Sequence, residues 1–202
     1  MQRLRLYVTT MLCTLTCAAV IEAAPKIGMP APDFTAADSH GAKHALADYR
    51  GKIVVLEWTN HACPFVGKHY TTGNMQALQQ YATGAGVTWL SVISSAPGTQ
   101  GYVSGPEADA LTTKRQAVPT AVLLDPQGVV GHAYDARTTP HMYIIDATGT
   151  LVYMGGIDDK PSTQNSDVKT ATNYVRVALD EVRGAKPVST PVTRPYGCSV
   201  KY

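Results

Sequence analysis

Cys63-Pro64 follows the apolar segment 53–58 directly after a short turn, so the cysteine is expected where a buried strand gives way to a helix. Proline is tolerated at the first helical position because its missing N–H would be unpaired there anyway. Cys63 is therefore expected at the helix N-terminus, where the helix dipole stabilises a thiolate and lowers the thiol pKa. The pair predicts a nucleophilic sulfur at Cys63.

Glu57 is a carboxylate within that otherwise apolar segment. Burial in a strand raises the pKa of a carboxyl group, and carboxyl groups perturbed in this way are frequent at reactive sites. Glu57 is therefore a candidate proton relay for Cys63. The alternative is a side chain at the edge of the sheet, or one paired with Lys52.

The N-terminus has the pattern of a secretory signal peptide. Arg3 and Arg5 precede a moderately apolar segment at 6–21, which the small residues Ala23 and Ala24 follow. We predict a signal peptide over residues 1–23 and a periplasmic or secreted mature protein. An ordinary N-terminal helix and a retained anchor are the alternatives.

Removal of residues 1–23 takes Cys13 and Cys17 with it and leaves only Cys63 and Cys198. The stretch from Gly184 to Cys198 spans up to roughly 45–50 Å when extended, so Cys198 can reach the Cys63 helix. Cys198 is a candidate resolving thiol that attacks oxidised Cys63 and forms a disulfide with it. A permanent structural disulfide and a disulfide between chains stay open, because spacing does not fix connectivity.

Three histidines lie where they can approach Cys63. His61 precedes it by two residues and can favour the thiolate, while His69 and His141 are weaker candidates. Copper or zinc binding by the histidines and cysteines, and a non-catalytic binding module, are the rival hypotheses. The compact Cys/His spacings of metal sites are absent from the sequence, so no metal or cofactor is predicted. Asp158-Asp159 are expected in a solvated loop beside Lys160.

The composition fits one ordinary domain. The chain has 202 residues, 45% of them apolar, and a formal charge of +2. That charge is too small to indicate nucleic-acid binding. The body of the chain contains no run of eighteen apolar residues, so no membrane span is expected after removal of the signal.

Hydrophobic patterning predicts alternating strands and helices, and therefore an α/β fold with a central mixed sheet flanked by helices. Strands are expected at 34–37, 43–46, 53–58, 87–94, 121–124, 142–146 and 151–155. Helices are expected at 64–84, 107–116, 126–134 and 168–183. The first two strands are expected to form an N-terminal hairpin, and residues 185–202 form an extended Pro-rich tail that carries Cys198.

The segments TNHACPFVGKHY, TTPHMYIIDATG and YGCSVKY resemble one peroxiredoxin-like bacterial subgroup of the redoxin family, the alkyl hydroperoxide reductase/thiol-specific antioxidant proteins and their exported thioredoxin-like relatives. The resemblance covers residues 27–183, within a redoxin domain at 24–184, and implies a thioredoxin fold. It also implies that Thr139-Pro140 is the cis-proline turn facing the active cysteine, and an antioxidant or disulfide-exchange activity.

The sequence departs from both parent patterns. Val66 stands where thioredoxins have a second cysteine, and Leu56 and Asn60 stand where peroxiredoxins have proline and threonine. Pro140 takes the place of the peroxiredoxin arginine, for which Arg137 is the nearby candidate. The expected partners are a thiol reductant and either a protein disulfide or a hydroperoxide, since a thiolate attacks both.

Overall fold

The computed structural model describes residues 24–202, so the predicted signal peptide lies outside the described residues. The strands are β1 (Thr35–Asp38), β2 (Lys43–Ala45), β3 (Val54–Trp58), β4 (Thr88–Ile93), β5 (Ala121–Leu124), β6 (Thr138–Thr139), β7 (His141–Ile145), β8 (Leu151–Gly155) and β9 (Cys198–Ser199). The helices are α1 (Pro64–Thr71), α2 (Asn74–Gly84), α3 (Gly105–Lys114), α4 (Val129–Ala133) and α5 (Tyr174–Arg183). Short 3₁₀ helices cover Leu46–Tyr49 and Asn165–Lys169.

Seven strands form one mixed sheet in the order β2-β1-β5-β4-β3-β7-β8. Strand β4 pairs in parallel with β3 and β5, while β7 pairs antiparallel with β3 and β8. The N-terminal hairpin β1–β2 joins the sheet through β1 and β5. This is the mixed α/β sheet that the sequence predicted.

Alternate residues of β3 and β4 face two separate cores, because successive side chains of a strand point to opposite faces. Val55 and Trp89 pack with α1, α2 and α5 on one face. Leu56 and Leu90 pack with α4 on the other face. Both cores are closed to solvent, and β3 is buried over its whole length.

The single helix predicted at 64–84 is wrong. The chain forms two helices because Gly73, with φ of 75°, leaves the right-handed helical conformation between them. Glycine adopts this left-handed conformation without the Cβ clash that penalises other residues. The long α2 keeps Met75 and Leu78 in the core, as the spacing predicted.

The last helix also starts later than predicted. Asn173 accepts a hydrogen bond from the Arg176 N–H at 2.9 Å and so caps α5 at its N-terminus. Residues 165–169 form a separate 3₁₀ turn instead of continuing the helix. Likewise, Gly128 with φ of 69° delays the helix predicted at 126–134 until Val129.

The tail after α5 packs along the domain. Met154 of β8 donates to Pro191 and accepts from Thr193, and β9 then pairs antiparallel with β6. Near the end, the Ala96 N–H donates to the Lys201 carbonyl at 2.7 Å. Within the described part of the chain, no helix is long and apolar enough to cross a membrane.

Candidate active site

Cys63 occupies the N-cap of α1, and Pro64 is the first helical residue. The Cys63 N–H donates to the Asn60 carbonyl at 3.1 Å, and the Cys63 carbonyl accepts the first helical hydrogen bond from Gly67 at 2.8 Å. The sulfur therefore sits at the positive end of the helix dipole, as the sequence predicted. The residue is only 1% exposed.

Two residues from distant parts of the chain enclose the sulfur of Cys63. Its Sγ lies 3.1 Å from the carbonyl oxygen of Thr139, which precedes Pro140 through a cis peptide bond. Cys198 lies opposite Thr139 in the β6–β9 ladder, and its side chain packs beside the Cys63 sulfur. The structure thus brings together Cys63, Cys198 and the Thr139-Pro140 turn. Both cysteines are free thiols.

The two thiols differ in acidity. Burial raises the pKa of Cys63, but hydrogen bonds from the Cys198 thiol, the Val66 N–H and the Thr139 hydroxyl outweigh burial and lower that pKa below its ordinary value. Burial, the hydrogen bond to Cys63 and the charge on Cys63 raise the pKa of Cys198 to about 11. Cys63 is therefore the more acidic of the two thiols.

Gly197 allows the tail to approach this closely. Its φ is 139°, and a Cβ at this position would lie 2.0 Å from the Thr139 carbonyl oxygen. Next in the tail, the Val200 N–H donates to the Arg137 carbonyl at 3.0 Å. The backbone around Cys198 is thus held against the turn that covers Cys63.

Glu57 is wholly buried, with 0% exposure, and so lies neither at a sheet edge nor beside the exposed Lys52. Its carboxylate accepts hydrogen bonds from four side chains: Trp89 Nε1 at 2.8 Å, Ser91 Oγ at 2.9 Å, Tyr70 Oη at 2.9 Å and Gln79 Nε2 at 3.2 Å. Burial raises the pKa of Glu57, and these hydrogen bonds offset only part of that effect.

No hydrogen bond joins Glu57 to Cys63 among residues 24–202. The two are connected through α1, since Tyr70 belongs to the helix that Cys63 begins. The buried charge of an ionised Glu57 opposes the formation of a second negative charge nearby. The described contacts therefore link Glu57 to the helix that Cys63 begins, and not to the Cys63 sulfur itself.

The predicted supporting residues have other contacts. His61 is exposed, and its carbonyl accepts from the Arg115 guanidinium at 2.8 Å. Partial burial and the Arg115 charge lower the pKa of His61.

The Arg137 guanidinium is 73% exposed and bonds to Asp135 at 2.6 Å. Among the described contacts its side chain does not reach Cys63, and the Arg137 carbonyl accepts from the Val200 N–H of the tail.

His141 is buried behind the cis-proline turn. Its Nδ1 lies 3.1 Å from the Tyr143 hydroxyl and 3.3 Å from the backbone nitrogen of Arg137. Burial lowers the pKa of His141 to about 4, so the ring is neutral at neutral pH. His141 thus supports the turn and carries no charge to the thiolate.

The structure contains one buried polar cluster that the sequence did not predict. Asp158, expected in a solvated loop, is 3% exposed and faces Lys68, His69 and the tail residue Tyr196. In the sequence this cluster is marked only by the neighbouring residues Lys68 and His69 within the predicted helix. Their partners, Asp158 and Tyr196, lie about ninety or more positions later in the chain.

The metal hypothesis would need His61, Cys63, His69 and Cys198 at one site, but only the two cysteines lie together. His61 is exposed, and both ring nitrogens of His69 face Asn74 and Tyr196. Across residues 24–202 no group of three or more His, Cys, Asp or Glu side chains is arranged to hold a metal ion.

Comparison with known proteins gives a family and a fold. The AhpC/TSA family model matches residues 27–154. A thiol-disulfide oxidoreductase named ResA from Geobacillus kaustophilus is 27% identical over 132 residues, which is 62% of this chain. The aligned region is 66% of that relative, so the chain spans just under two thirds of its length.

Solved structures share the architecture of the whole domain. An uncharacterized conserved protein from Geobacillus kaustophilus superposes with a TM-score of 0.74 at 24% identity, over 88% of this chain and 92% of that one. A hypothetical protein from Sinorhizobium meliloti 1021 superposes with a TM-score of 0.72 at 23% identity, over 89% and 96%. At these identities the likeness confirms the fold.

Proposed function

Because the chain belongs to the AhpC/TSA family, we propose that it is a thiol oxidoreductase in which Cys63 is the nucleophile and Cys198 the resolving thiol. The observation that carries this proposal is the placement of Cys198 opposite Thr139, whose carbonyl contacts the Cys63 sulfur at the N-terminus of α1. One thiol has a lowered pKa and the other a raised pKa. This is the asymmetry that a nucleophile and its resolving partner require.

The preferred reaction is thiol–disulfide exchange. The Cys63 thiolate attacks one sulfur of a substrate disulfide, forms a mixed disulfide with it and releases the other substrate sulfur as a thiolate. The name of the ResA relative supports a disulfide substrate for this chain. Thr139 and Pro140 are proposed to hold the substrate backbone and the sulfur in line for the attack, since the Thr139 carbonyl contacts the Cys63 sulfur and precedes a cis bond to Pro140.

Cys198 completes the exchange. Its thiol loses a proton, attacks Cys63 of the mixed disulfide and releases the second substrate thiolate, leaving a Cys63–Cys198 disulfide. The substrate gains two electrons and the enzyme loses them. An external thiol reductant then restores both thiols. Glu57 is proposed to hold and return a proton during this cycle, because burial raises the pKa of its carboxyl group.

A hydroperoxide is the second candidate substrate, and the burial of Cys63 favours it. With 1% exposure beneath the tail, the sulfur is more accessible to a small molecule than to a folded protein. The thiolate takes the distal oxygen, becomes a sulfenic acid and releases an alcohol after protonation. Cys198 then displaces water to give the same disulfide. In this form the protein is an antioxidant.

We also propose a periplasmic or secreted location, with residues 1–23 removed as a signal peptide, 24–184 as the catalytic domain and 185–202 as the resolving tail. The N-terminal pattern of basic, apolar and small residues supports it. Fractionation of the native host followed by N-terminal sequencing tests this proposal. A mature cytoplasmic chain that still begins at Met1 contradicts it.

The oxidation rate of pre-reduced protein tests the activity. Stopped-flow measurements compare glutathione disulfide, a disulfide-bonded peptide and hydrogen peroxide, each against the Cys63→Ser variant. Rapid exchange with the disulfides supports the preferred reaction, and rapid reaction with peroxide alone supports the second. Thiols that react with neither at neutral pH contradict both, and leave a binding module as the better description.

A further inference from the structure

A buried polar cluster lies beneath the tail and takes no part in the thiol chemistry described above. Its members are Lys68 and His69 of α1, Asp158 of the loop after β8, and Tyr196 of the tail. The side chains of Lys68 and His69 are 0% exposed and that of Asp158 is 1% exposed. Buried charges are costly unless they are paired and hydrogen-bonded, so the cluster needs each of its partners.

The hydroxyl of Tyr196 is the centre of the cluster. It donates to Asp158 Oδ1. Its oxygen accepts from Lys68 Nζ at 3.2 Å and lies 3.2 Å from His69 Nε2. Asn74 Nδ2 lies 2.8 Å from His69 Nδ1 and donates to it, which leaves the ring proton on Nε2 to point at Tyr196. The tyrosine thus uses its donor and both acceptor positions.

The protonation states agree with this arrangement. Burial and the Lys68 charge lower the pKa of His69 to about 3, so that ring is neutral. Burial and Asp158 raise the pKa of Tyr196, so its hydroxyl keeps its proton. Lys68 Nζ also donates to the Lys160 carbonyl at 2.8 Å and lies 3.7 Å from Asp158 Oδ2. The cluster therefore contains two neutral groups, His69 and Tyr196, that link the side chains of Lys68 and Asp158.

The same cluster connects the tail to the helix that holds the nucleophile. Cys63 begins α1, and Phe65, Lys68 and His69 of that helix all face Tyr196, whose ring packs edge-on to Phe65 at 5.9 Å. Tyr196 precedes Cys198 by two residues, and only Gly197 lies between them. Fixing the Tyr196 hydroxyl relative to α1 therefore fixes Cys198 relative to Cys63.

We propose that Tyr196 is a positioning residue: its hydroxyl, held by Asp158, Lys68 and His69, docks the tail so that Cys198 is aimed at Cys63. The inference rests on the proposed function. Loss of the hydroxyl leaves Lys68, His69 and Asp158 short of one partner each and loosens the tail at Tyr196, beside Cys198. Cys198 then meets Cys63 less often, and the resolving step slows while the first attack does not.

The test is Tyr196→Phe treated with one equivalent of the aromatic disulfide DTNB. The Cys63 thiolate forms a mixed disulfide and releases one coloured thiolate. Cys198 then loses its proton, displaces the second coloured thiolate and forms the Cys63–Cys198 disulfide. In Tyr196→Phe the second release is expected to be about tenfold slower than in the wild type. At a pH where Cys63 is fully ionised in both proteins, the first release is expected to be unchanged or faster, because the cover over Cys63 is looser.

Tyr174→Phe is the matched control. Tyr174 lines the same cleft beside the tail as Tyr196, and its hydroxyl has no hydrogen bond among those of the described residues. Both releases are expected at wild-type rates in this variant. Phenylalanine keeps the ring contact with Phe65, so Tyr196→Phe is expected to fold. Asp158→Asn, which leaves Lys68 without its anion, provides a second route to the same slow release.

A second readout separates positioning from a general structural role. Tyr196→Phe is expected to raise the pKa of Cys63, measured from thiolate absorbance, because the Cys198 donor is displaced. In a Cys198→Ala background the same substitution is expected to leave the Cys63 pKa unchanged. Equal second-release rates in wild type and Tyr196→Phe overturn the positioning role. A wild-type protein that releases only one coloured thiolate instead overturns the proposed function.

Discussion

The side chain of Cys198 lies beside the sulfur of Cys63, which is at the N-terminus of α1. The contact joins the first turn of a central helix to the end of the chain. It lowers the pKa of Cys63 and raises that of Cys198 to about 11. The nucleophile and the group proposed to resolve it are thus in contact before any substrate arrives.

Removal of the Cys198 thiol is expected to raise the pKa of Cys63. Cys198→Ala deletes the thiol and leaves the thiolate without one of its hydrogen bonds, while Cys198→Ser restores a donor. Titration of thiolate absorbance measures the pKa in each. The expected order is Cys198→Ala above Cys198→Ser. A Cys63 pKa that is identical in wild type and Cys198→Ala contradicts the contact.

The two cysteines are expected to fail in different ways. Cys63→Ser removes the nucleophile and lowers turnover by about a thousandfold or more. Cys198→Ser permits one oxidation of Cys63, after which the mixed disulfide or sulfenic acid accumulates. Steady-state assays with mass spectrometry of the trapped protein distinguish the two. Full turnover in the Cys63→Ser variant refutes the assignment of the nucleophile.

Glu57 makes stability depend on pH. Burial raises its pKa in the folded protein above the ordinary 4.5, so the folded state holds the proton more tightly than the unfolded state. The stability present below pH 4.5 is therefore lost as the pH rises towards the raised pKa, by at most about 1.4 kcal/mol per pH unit. Glu57→Gln is expected to remove this pH dependence of the free energy of unfolding. It is also expected to slow thiol–disulfide exchange.

Urea unfolding at a series of pH values measures the Glu57 effect. Glu107→Gln, which changes a fully exposed carboxylate of α3, is the control and is expected to keep the wild-type slope above pH 4.5. If Glu57→Gln also keeps that slope, Glu57 does not hold the proton. If Glu57→Gln exchanges at the wild-type rate, it is not a relay.

Gly197 is expected to tolerate no side chain. Alanine there would place a Cβ 2.0 Å from the Thr139 carbonyl oxygen at a φ of 139°. Gly197→Ala should therefore cost about 1–3 kcal/mol of stability and slow disulfide formation. Gly67→Ala in α1, where a Cβ meets no atom within 4 Å, is the control and should stabilise by about 0.5–1 kcal/mol. Equal behaviour of the two variants contradicts close docking of the tail.

The sequence predicted the features that neighbouring residues determine. Cys63 at a helix N-terminus follows from Pro64 beside it, and the mixed sheet follows from the apolar strands. The burial of Glu57 follows from its apolar neighbours. The resemblance to the redoxin family gave the cis bond at Thr139-Pro140 in advance, and that expectation is confirmed.

The sequence did not predict the features that depend on contacts between residues far apart in the chain. The position of Cys198 depends on the Tyr196 hydroxyl meeting Lys68 and Asp158, which belong to α1 and to the loop after β8. From the sequence alone, Tyr196 in the tail and Asp158 in an acidic loop are both expected to be exposed to solvent, because their partners are not adjacent in the chain. The break between α1 and α2 was missed because the apolar spacing continues across Gly73, and only its left-handed conformation ends the helix.

The roles of the site residues remain proposals that one measurement tests most directly. Fully reduced mature protein is treated with one equivalent of glutathione disulfide or of hydrogen peroxide, quenched with iodoacetamide and digested for mass spectrometry. The account predicts a cross-linked peptide pair that contains Cys63 and Cys198 from a single chain, formed within the first turnover. Recovery of both cysteines as alkylated thiols, or only of disulfides between chains, would contradict it.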